Sequence, residues 1–366
     1  MPSIVSVSSF NPPHSLKQDL TMEFARELFS ESYQDIERLL TVFSNGQIEE
    51  RQFGVPLEWF KDEHSFQERN DLYIELATQY GAEVIKLCLE NSYFLKENIN
   101  VSAIDAIIFV SSSGIATPSL DARIMNLLPF CPHTKRIPLW GLGCAGGAAG
   151  MSRGYEYCKA YPDANILVVC VELCSLTFQR NDRSKSNLIG TSLFADGVAS
   201  ALLMGDESPL LSKAKQVVQP TILATQSTLM PNSEDVMGWA LKDSGLHVVF
   251  SRDIPNIIKK WLRPNVEEFL QSQDINFSQL AEFIAHPGGK KVLDSYVESL
   301  GITGEMVSTS QQILKKHGNM SSPTVLYVLE EIMKKKHNNG DFGLMAALGP
   351  GFSSELLLLQ WKGDYQ

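Results

Sequence analysis

The chain has 366 residues, of which 44% are hydrophobic and 20% charged. This composition excludes an intrinsically disordered chain and supplies a sizeable core for two domains or one large duplicated domain. With 31 Lys and Arg against 42 Asp and Glu, the net charge is −11. A general nucleic-acid binder or a protein that coats anionic membranes is therefore not expected.

The cysteine content and the apolar runs bear on the compartment. Six cysteines without a CxxC pair do not form a disulfide framework, and they favour a reducing cytoplasm. The N-terminus lacks the basic start of a signal peptide. The uncharged run between Arg136 and Arg153 is Gly-rich and too short to span a bilayer. A cytoplasmic protein with no membrane span is expected.

Periodicity predicts strands and helices that alternate from about residue 104 onward. The first hundred residues are expected to be mainly helical after one opening strand. The predicted strands are 4–7, 104–110, 166–171, 198–204, 283–285, 343–348 and 355–361, and the predicted helices are 71–90, 121–128, one that starts near Cys144, one through Val292, Tyr296 and Leu300, and 324–336. Such alternation is typical of an α/β protein in which helices pack on sheets.

The order of elements occurs twice. A strand that ends in a polar loop, a helix, a loop that opens a second helix, and a strand–turn–strand unit appear in both parts of the chain. This predicts an internal duplication, with an N-terminal half over residues 1–212 and a C-terminal half over 213–366. The segment 206–233 is expected to join them. Cys144 opens a helix in the first copy, and Asn319 opens its counterpart in the second.

Cys144 lies in a glycine-rich segment, Gly141-Leu-Gly143-Cys-Ala-Gly146. The letters match a dinucleotide fingerprint, but no acidic residue stands at the required distance. The glycines instead allow backbone and substrate to approach the cysteine closely. A helix N-terminus lowers a thiol pKa to about 3.5–7.5, which favours a nucleophile. The alternative is a small buried thiol in a tight turn, an interpretation that suits Cys88, Cys158, Cys170 and Cys174.

His286 and Asn319 are the other candidate catalytic residues. His286 follows an apolar strand and precedes Pro287-Gly-Gly, so it is expected in a loop, where it can act as a base or a hydrogen-bond donor. Asn319 can donate to an oxyanion, or it can simply cap a helix. His317 is a rival histidine, and a structural role for His286 stays open. The duplication places Cys144, His286 and Asn319 at corresponding element ends. No ligand spacing for a metal is present.

Five motifs in this order resemble the type III polyketide synthases, the chalcone synthase-like family: GLGCAGGAAG, LFADGVASALL, AHPGGKKVLD, KHGNMSS and ALGPGFSSE. The resemblance runs from residue 1 to about 362. Within the family, TPSLDARIMNLLPF, ELCSLTFQR and SEDVMGW resemble the bacillus-type alkylpyrone synthases. The resemblance implies the thiolase fold, a duplicated αβαβα layered architecture, and a homodimer.

The resemblance also implies a reaction. Cys144 resembles the nucleophile that takes an acyl starter from coenzyme A, and His286 and Asn319 resemble its catalytic partners. The expected substrates are a medium- or long-chain fatty acyl-CoA starter and malonyl-CoA as extender. Two or three decarboxylative condensations and a ring closure would give an alkylpyrone or an alkylresorcinol. No cofactor is expected beyond the coenzyme A thioesters themselves.

Several other positions match family positions near the substrate. Phe194 resembles an aromatic gate between a coenzyme A tunnel and the reaction cavity, although a core aromatic would also fit. Val248 stands where plant members have a second gate phenylalanine, and Thr117 where they have a methionine near the dimer interface. Both differences favour a roomier, more apolar channel. The predicted cavity-lining residues are Ser112, Thr177 and Ser321, and the predicted cyclisation-pocket loop is Gly349, Pro350 and Gly351.

Coenzyme A is highly anionic, so a protein with a net charge of −11 needs a local basic patch to bind it. Arg51, Lys290 and Lys291 are the candidates, with ordinary surface charges as the alternative. Two other functions stay open: a β-ketoacyl synthase of the initiating type, which condenses once with an acyl carrier protein partner, and a non-catalytic thiolase-fold paralogue. The HPGGKKV and GNMSS segments argue against the first, and an intact Cys144 argues against the second.

Overall fold

A computed structural model describes residues 1–251 and 253–363. Arg252 and the last three residues of the predicted C-terminal half lie outside the described residues. The strands are β1 (Ser3–Phe10), β2 (His14–Lys17), β3 (Glu50–Phe53), β4 (Ala106–Val110), β5 (Lys135–Leu139), β6 (Asn165–Leu173), β7 (Asp196–Met204), β8 (Val218–Leu229), β9 (Met237–Lys242), β10 (Gly245–Phe250), β11 (Leu280–Ala285), β12 (Phe342–Gly349) and β13 (Ser353–Gly363). The helices are α1 (Gln18–Phe29), α2 (Ile36–Asn45), α3 (Phe66–Leu89), α4 (Leu120–Met125), α5 (Gly146–Ala160), α6 (Lys185–Leu193), α7 (Ile254–Ile257), α8 (Arg263–Gln271), α9 (Lys290–Leu300), α10 (Ser308–His317) and α11 (Thr324–Met333).

The sheet topology confirms the duplication. In the first half β4 is parallel to β6, β6 is antiparallel to β7, and β7 is antiparallel to β1. In the second half β11, β12, β13 and β8 repeat that pattern in the same order. The two sheets meet where β1 and β8 pair through Ser3 and Thr221. The strand order across both is β11-β12-β13-β8-β1-β7-β6-β4-β5.

The elements stack as five layers, as expected. The helix α3 packs on β1, β6 and β7 from outside, while α5 and α11 lie between the sheets. The far side of the second sheet is covered by the α7–α8 segment and α9 through a separate apolar cluster. Every residue of β6 and β7 is buried. Strands covered on both faces read as continuous apolar runs, which is why the sequence shows no alternation there.

The inner helices α5 and α11 meet at their N-termini, and glycine makes this possible. A Cβ added to Gly147 would stand 2.3 Å from the carbonyl oxygen of Ser322, and one on Gly146 would stand 2.6 Å from Val110 Cγ1. No side chain fits at these distances. The Gly146-Gly147 pair after Cys144 is therefore required by packing, which the nucleotide-binding interpretation does not explain.

Two parts of the predicted organisation are wrong. The first hundred residues also contain β2 and β3, which pair with each other. The segment 206–233 is more than a connection, because it contains β8, which pairs with β13 along its whole length. The Gln, Thr, Ser and Pro residues of β8 are typical of a loop, so the sequence does not predict a strand there. Pairing with β13, which is distant in the chain, holds β8 in the strand conformation. Over the described residues, no helix is both long and apolar enough to cross a membrane.

We expect Gly147→Ala to lower the free energy of unfolding by about 1–3 kcal/mol, the usual range for overpacking. The added methyl group would meet the Ser322 carbonyl, which the start of α11 holds in place. Gly304→Ala is the matched control, since a Cβ there meets no atom within 4 Å. Urea denaturation of both variants measures the difference. Equal stability of the two would contradict the close approach of the inner helices.

Candidate active site

The Cys144 turn lies directly before α5. Residues Gly143–Ala145 form a single 3-10 turn, and Gly143 has a φ of +47°, which a residue with a side chain rarely adopts. The hydroxyl oxygen of Ser112, at the end of β4, accepts the N–H groups of Gly141 and Gly143 at 3.2 Å each. A buried serine thus fixes the turn, and the Cys144 side chain faces a cavity.

Asn319 lies beside the thiol on an extended segment before α11. Its Oδ1 and Nδ2 are 3.8 and 3.9 Å from Cys144 Sγ. The N–H of Ser321 donates to Oδ1 at 2.8 Å, so the amide is oriented with Nδ2 free to donate, and Nδ2 also contacts the Gly288 carbonyl at 3.2 Å. The helix-capping alternative is wrong, because α11 begins at Thr324 with Pro323 at its cap.

His286 lies at the end of β11, where its backbone N–H donates to Ala346 O at 2.9 Å. The side chain is 2% exposed, and neither ring nitrogen has a hydrogen-bond partner among the described residues. A structural histidine satisfied by backbone is therefore excluded here. The rival His317 is structural instead, since its Nδ1 contacts Gln52 Oε1 at 2.7 Å and its ring packs on Tyr327.

Burial dominates the electrostatics of the site. It raises the pKa of the Cys144 thiol to about 11, against the opposing hydrogen bonds of Ser321 and Asn319. It lowers the pKa of His286 to about 3. Removal from water thus outweighs the hydrogen bonds that the thiol receives, against the direction expected from a helix N-terminus. Both groups are therefore neutral in the resting site.

Glu172 links the segments that carry Cys144 and Asn319 through two serines, Ser112 and Ser322. The N–H of Ser112 donates to Oε2 at 3.0 Å, and the Ser322 hydroxyl donates to Oε1 at 2.8 Å. One fully buried carboxyl group therefore ties the Cys144 turn to the segment that carries Asn319. Burial raises the pKa of Glu172 to about 7. In the sequence Glu172 stands in the apolar run of β6 and attracts no attention as a site residue. Its position near the end of that strand is the signal that could have indicated a role at the site.

An outer cavity of about 430 Å³ contains Cys144, His286 and Asn319 together. The predicted convergence of these three residues is confirmed. The lining is mostly apolar, which keeps the site poor in water. The other lining side chains include Met237, Phe250, Ile254, Ile258, Tyr296, Leu348 and Phe352, and Lys290 and Lys291 also border the cavity.

Phe194 stands between this outer cavity and an inner cavity of about 60 Å³. Its neighbours in the chain, Ile189 and Leu193, line the outer cavity, while Phe194 itself lines the inner one. Thr177 and Val248 also line the inner cavity, as predicted. A short parallel bridge joins Phe194 to Asn319, so backbone hydrogen bonds hold together the two segments that carry the aromatic ring and the amide.

Other predicted substrate contacts lie elsewhere. Ser112 is 2% exposed and lines neither cavity, since its hydroxyl is used by the Cys144 turn. Ser321 is buried beside Asn319. Thr117 is exposed on the surface of this chain and reaches neither cavity. The placement of Ser112 and Thr117 against the substrate is therefore not supported within one chain.

The Gly349-Pro350-Gly351 loop also lies behind the site and not within it. A Cβ on Gly349 would stand 2.6 Å from Ala145 Cβ, and one on Gly143 would stand 2.9 Å from Pro350 Cδ. The loop therefore packs against the back of the Cys144 turn. The adjacent Leu348 and Phe352 supply the side chains that line the outer cavity.

The prediction that Arg51 binds coenzyme A is wrong, because its side chain is 1% exposed. Nη1 donates to the carbonyl oxygens of Thr191 and Phe194 at 2.7 and 2.6 Å. Burial lowers the pKa of Arg51 to about 9, although the nearby Asp196 opposes that change. Lys290 pairs with Asp294, whereas Lys291 is exposed at the border of the outer cavity.

Sequence reasoning missed two aromatic residues that the structure places at the site. Phe250 and Trp239 both pack against Phe194, each with a ring centroid 5.5 Å away. Val248 lacks the aromatic ring that plant members have at this position, but Phe250 supplies a ring two residues further along the strand. Residues at i and i+2 of a strand share a face, and this alternation could have revealed it.

The fold and the site define a thiolase-fold acyltransferase in which a thiol, an imidazole and an amide share one cavity. Family comparison agrees: the chalcone and stilbene synthase N-terminal domain matches residues 4–208, and the C-terminal domain matches residues 221–361. The chain belongs to this family, the type III polyketide synthases.

Individual relatives extend this result over nearly the whole chain. A Bacillus subtilis (strain 168) protein provisionally named chalcone synthase is 52% identical over 364 residues, which is 99% of each chain. The 1,3,6,8-tetrahydroxynaphthalene synthase of Streptomyces peucetius subsp. caesius is 31% identical over 98% of this chain and 93% of its own. The crystal structure of the Streptomyces coelicolor A3(2) tetrahydroxynaphthalene synthase, a bacterial type III polyketide synthase, superposes with a TM-score of 0.90 at 28% identity, covering 99% of this chain and 100% of the other.

We expect His286→Ala to slow alkylation of Cys144 by iodoacetamide at least about tenfold at pH 7, because the imidazole can take the thiol proton. In the variant the rate should rise about tenfold per pH unit between 7 and 9, since only the thiolate reacts and its fraction grows this way below a pKa of about 11. In the wild-type protein the rate should depend less on pH, because the imidazole is neutral throughout this range and can take the proton as the sulfur reacts. Peptide mass spectrometry measures the rate, with Cys131 in the same sample as the control. The same pH profile for Cys144 in both proteins would contradict the role of His286.

Proposed function

We propose that this type III polyketide synthase loads a medium- or long-chain fatty acyl-CoA on Cys144, extends it with malonyl-CoA, and cyclises the product to an alkylpyrone or alkylresorcinol. One observation carries the proposal: a thiol, an oriented amide and an imidazole that has no hydrogen-bond partner among the described residues share one apolar cavity. Cys144, His286 and Asn319 act as the catalytic residues.

Loading is a thioester exchange. The Cys144 sulfur attacks the acyl carbonyl carbon as His286 takes the thiol proton, and coenzyme A leaves as a thiol after it recovers a proton from His286. Burial disfavours both the thiolate and the imidazolium, so the proton moves to His286 as the sulfur attacks the carbonyl carbon, and no ion pair accumulates. The acyl group is now a thioester on Cys144, and its tail remains in apolar surroundings.

Extension begins with loss of CO2 from malonyl-CoA. The electron pair of the broken C–C bond forms an enolate, whose negative charge rests on the thioester oxygen. Asn319 Nδ2 and a ring N–H of His286 donate to that oxygen, and no strong base is needed because CO2 is the leaving group. Each such donor contributes about 2.7–4 kcal/mol to transition-state stabilisation. The enolate carbon then attacks the acyl thioester and frees the Cys144 thiolate.

The apolar linings support an alkyl starter. The outer cavity is bordered by Met237, Ile254, Ile258 and Leu348, and the inner cavity by several phenylalanines. Each buried methylene contributes about 0.8 kcal/mol to binding, so kcat/KM is expected to rise with chain length until the apolar space is filled. Lys291 at the border of the outer cavity is the proposed contact for the coenzyme A phosphates, with Lys290 beside it.

An exposed apolar surface supports the proposed homodimer. Trp140 and Leu127 are 58% and 56% exposed, and Ile115 is exposed next to Thr117. The adjacent β5 is the edge strand of the first sheet, so its outer backbone groups are unpaired. Large exposed apolar patches and unpaired sheet edges favour association between chains. Thr117 then lies at the interface, where this single chain leaves it on the surface.

Mass spectrometry of the products tests the function. Purified protein is given malonyl-CoA and a series of straight-chain acyl-CoA starters from acetyl to palmitoyl, beside Cys144→Ala. We expect cyclic triketides or tetraketides whose yield rises with starter length, and their absence in the variant, because no thioester can form. The Cys158→Ala variant is the matched control, since that thiol is buried far from the cavities.

Other results would contradict the proposal in distinct ways. A linear β-ketoacyl product after one condensation favours a β-ketoacyl synthase of the initiating type. No consumption of malonyl-CoA and no acylation of Cys144 favours a non-catalytic paralogue. Cyclic products with no dependence on starter length would leave the polyketide synthase in place and overturn the long-chain starter.

A further inference from the structure

The β9–β10 hairpin presents two aromatic side chains to the two cavities. Met237 pairs with Phe250, and Trp239 pairs with Val248. Because alternate residues of a strand share a face, both pairs point to the same side of the hairpin. The first pair lines the outer cavity with Cys144, and the second lines the inner cavity. The hairpin therefore spans the boundary between the cavities.

Three rings close that boundary. Phe194 stacks on Phe250 with a centroid separation of 5.5 Å and an interplanar angle of 22°, and it meets Trp239 at 5.5 Å and 38°. Carbon atoms in contact are about 3.5–4.0 Å apart, so an alkyl chain between two ring faces needs about 7–8 Å. The stack as it stands leaves no room for a chain to pass from Cys144 to the inner cavity.

The backbone on both sides of the stack is fixed. Arg69 Nη2 donates to Ser244 O at the hairpin tip, and Gln179 Nε2 donates to Leu246 O at 3.0 Å. On the other side, Arg51 donates to the Phe194 carbonyl at 2.6 Å. Rotation of a side chain therefore opens a passage without breaking these hydrogen bonds, whereas movement of the hairpin would break them.

Phe250 is the ring with space to rotate. It borders the outer cavity of about 430 Å³, whereas Phe194 and Trp239 border the inner cavity of about 60 Å³. Rotation of Phe250 keeps its ring in apolar surroundings, because Met237 and Ile254 line the same cavity. Rotation of either other ring would require displacement of packed side chains, which interiors tolerate poorly.

We propose that Phe250 is the side chain of this stack that moves, and that it selects starters by their shape. Its ring rotates into the outer cavity and so admits an unbranched alkyl chain to the inner cavity. A starter that carries a ring is excluded. The inference rests on the proposed loading of acyl-CoA at Cys144. The chemical class selected is a flexible, straight-chain acyl thioester. Phe250 does not touch the reacting atoms, so it is a specificity residue.

The test compares acylation rates of Cys144 by intact-protein mass spectrometry with dodecanoyl-CoA and phenylacetyl-CoA. Phe250→Ala opens the stack permanently, so the ratio of the phenylacetyl rate to the dodecanoyl rate should rise at least about fivefold, within the discrimination that one apolar contact provides. Phe250→Leu, which keeps most of the side chain, should raise it less. Val249→Ala on the opposite strand face is the matched control and should leave the ratio within about twofold.

Three results would overturn the inference. An unchanged ratio in Phe250→Ala means that this ring does not select starter shape. An equal rise in Val249→Ala assigns the effect to general disturbance of the hairpin. If Phe250→Ala does not fold, an unchanged ratio in Phe250→Leu has the same meaning as the first result. Failure of the wild-type protein to acylate Cys144 with any starter is a different result, because it removes the proposed function itself.

Discussion

The close contact between the starts of α5 and α11 is the constraint on which the site depends. A Cβ on Gly147 would lie only 2.3 Å from Ser322 O, so the two inner helices approach as closely as backbones permit. That contact joins the two halves of the duplicated fold. It places the Cys144 turn of one half beside the Asn319 segment of the other, and Glu172 holds both from behind. The site lies at this seam, the boundary between the two halves, because Cys144 belongs to one half and His286 and Asn319 to the other.

The exclusion of water keeps the groups of the site uncharged at rest, and it requires a hydrogen-bond donor wherever a charge forms during the reaction. The same burial that raises the thiol pKa of Cys144 lowers the pKa of His286, so both groups rest uncharged. In such surroundings a charge that forms during reaction is stabilised strongly by a nearby donor, since water does not compete. That need is met by an oriented amide and by an imidazole that is unpaired within residues 1–251 and 253–363. Arg51, buried nearby, holds the Phe194 backbone and does not meet solvent.

The sequence predicts much of this fold because its signals are local. Buried strands such as β6 and β7 are continuous apolar runs, and the element order reveals the duplication. The convergence of Cys144, His286 and Asn319 follows from that duplication. The features that could not be predicted from the sequence are those that depend on contacts between residues distant in the chain. The strand β8 is ordered by β13, and Arg51 is buried by carbonyl groups about 140 residues away.

The second group of errors concerns which side of an element faces the substrate. Ser112 and the Gly349-Pro350-Gly351 loop are close to Cys144, but they support its turn from behind. Proximity in a motif does not reveal this orientation. Likewise, Val248 marks where an aromatic is missing, while Phe250 supplies one two residues later on the same strand face. Side-chain direction across a cavity is decided by packing between the hairpin and α6.

Decarboxylation of malonyl-CoA without a starter tests the central claim, that the two halves contribute separable functions at the seam. Release of CO2 is measured for Cys144→Ala and Asn319→Ala. The donors of the C-terminal half remain in Cys144→Ala, so we predict that it still decarboxylates malonyl-CoA, whereas Asn319→Ala loses about 10²–10³ in rate. Loss of decarboxylation in Cys144→Ala together with its retention in Asn319→Ala would contradict the account.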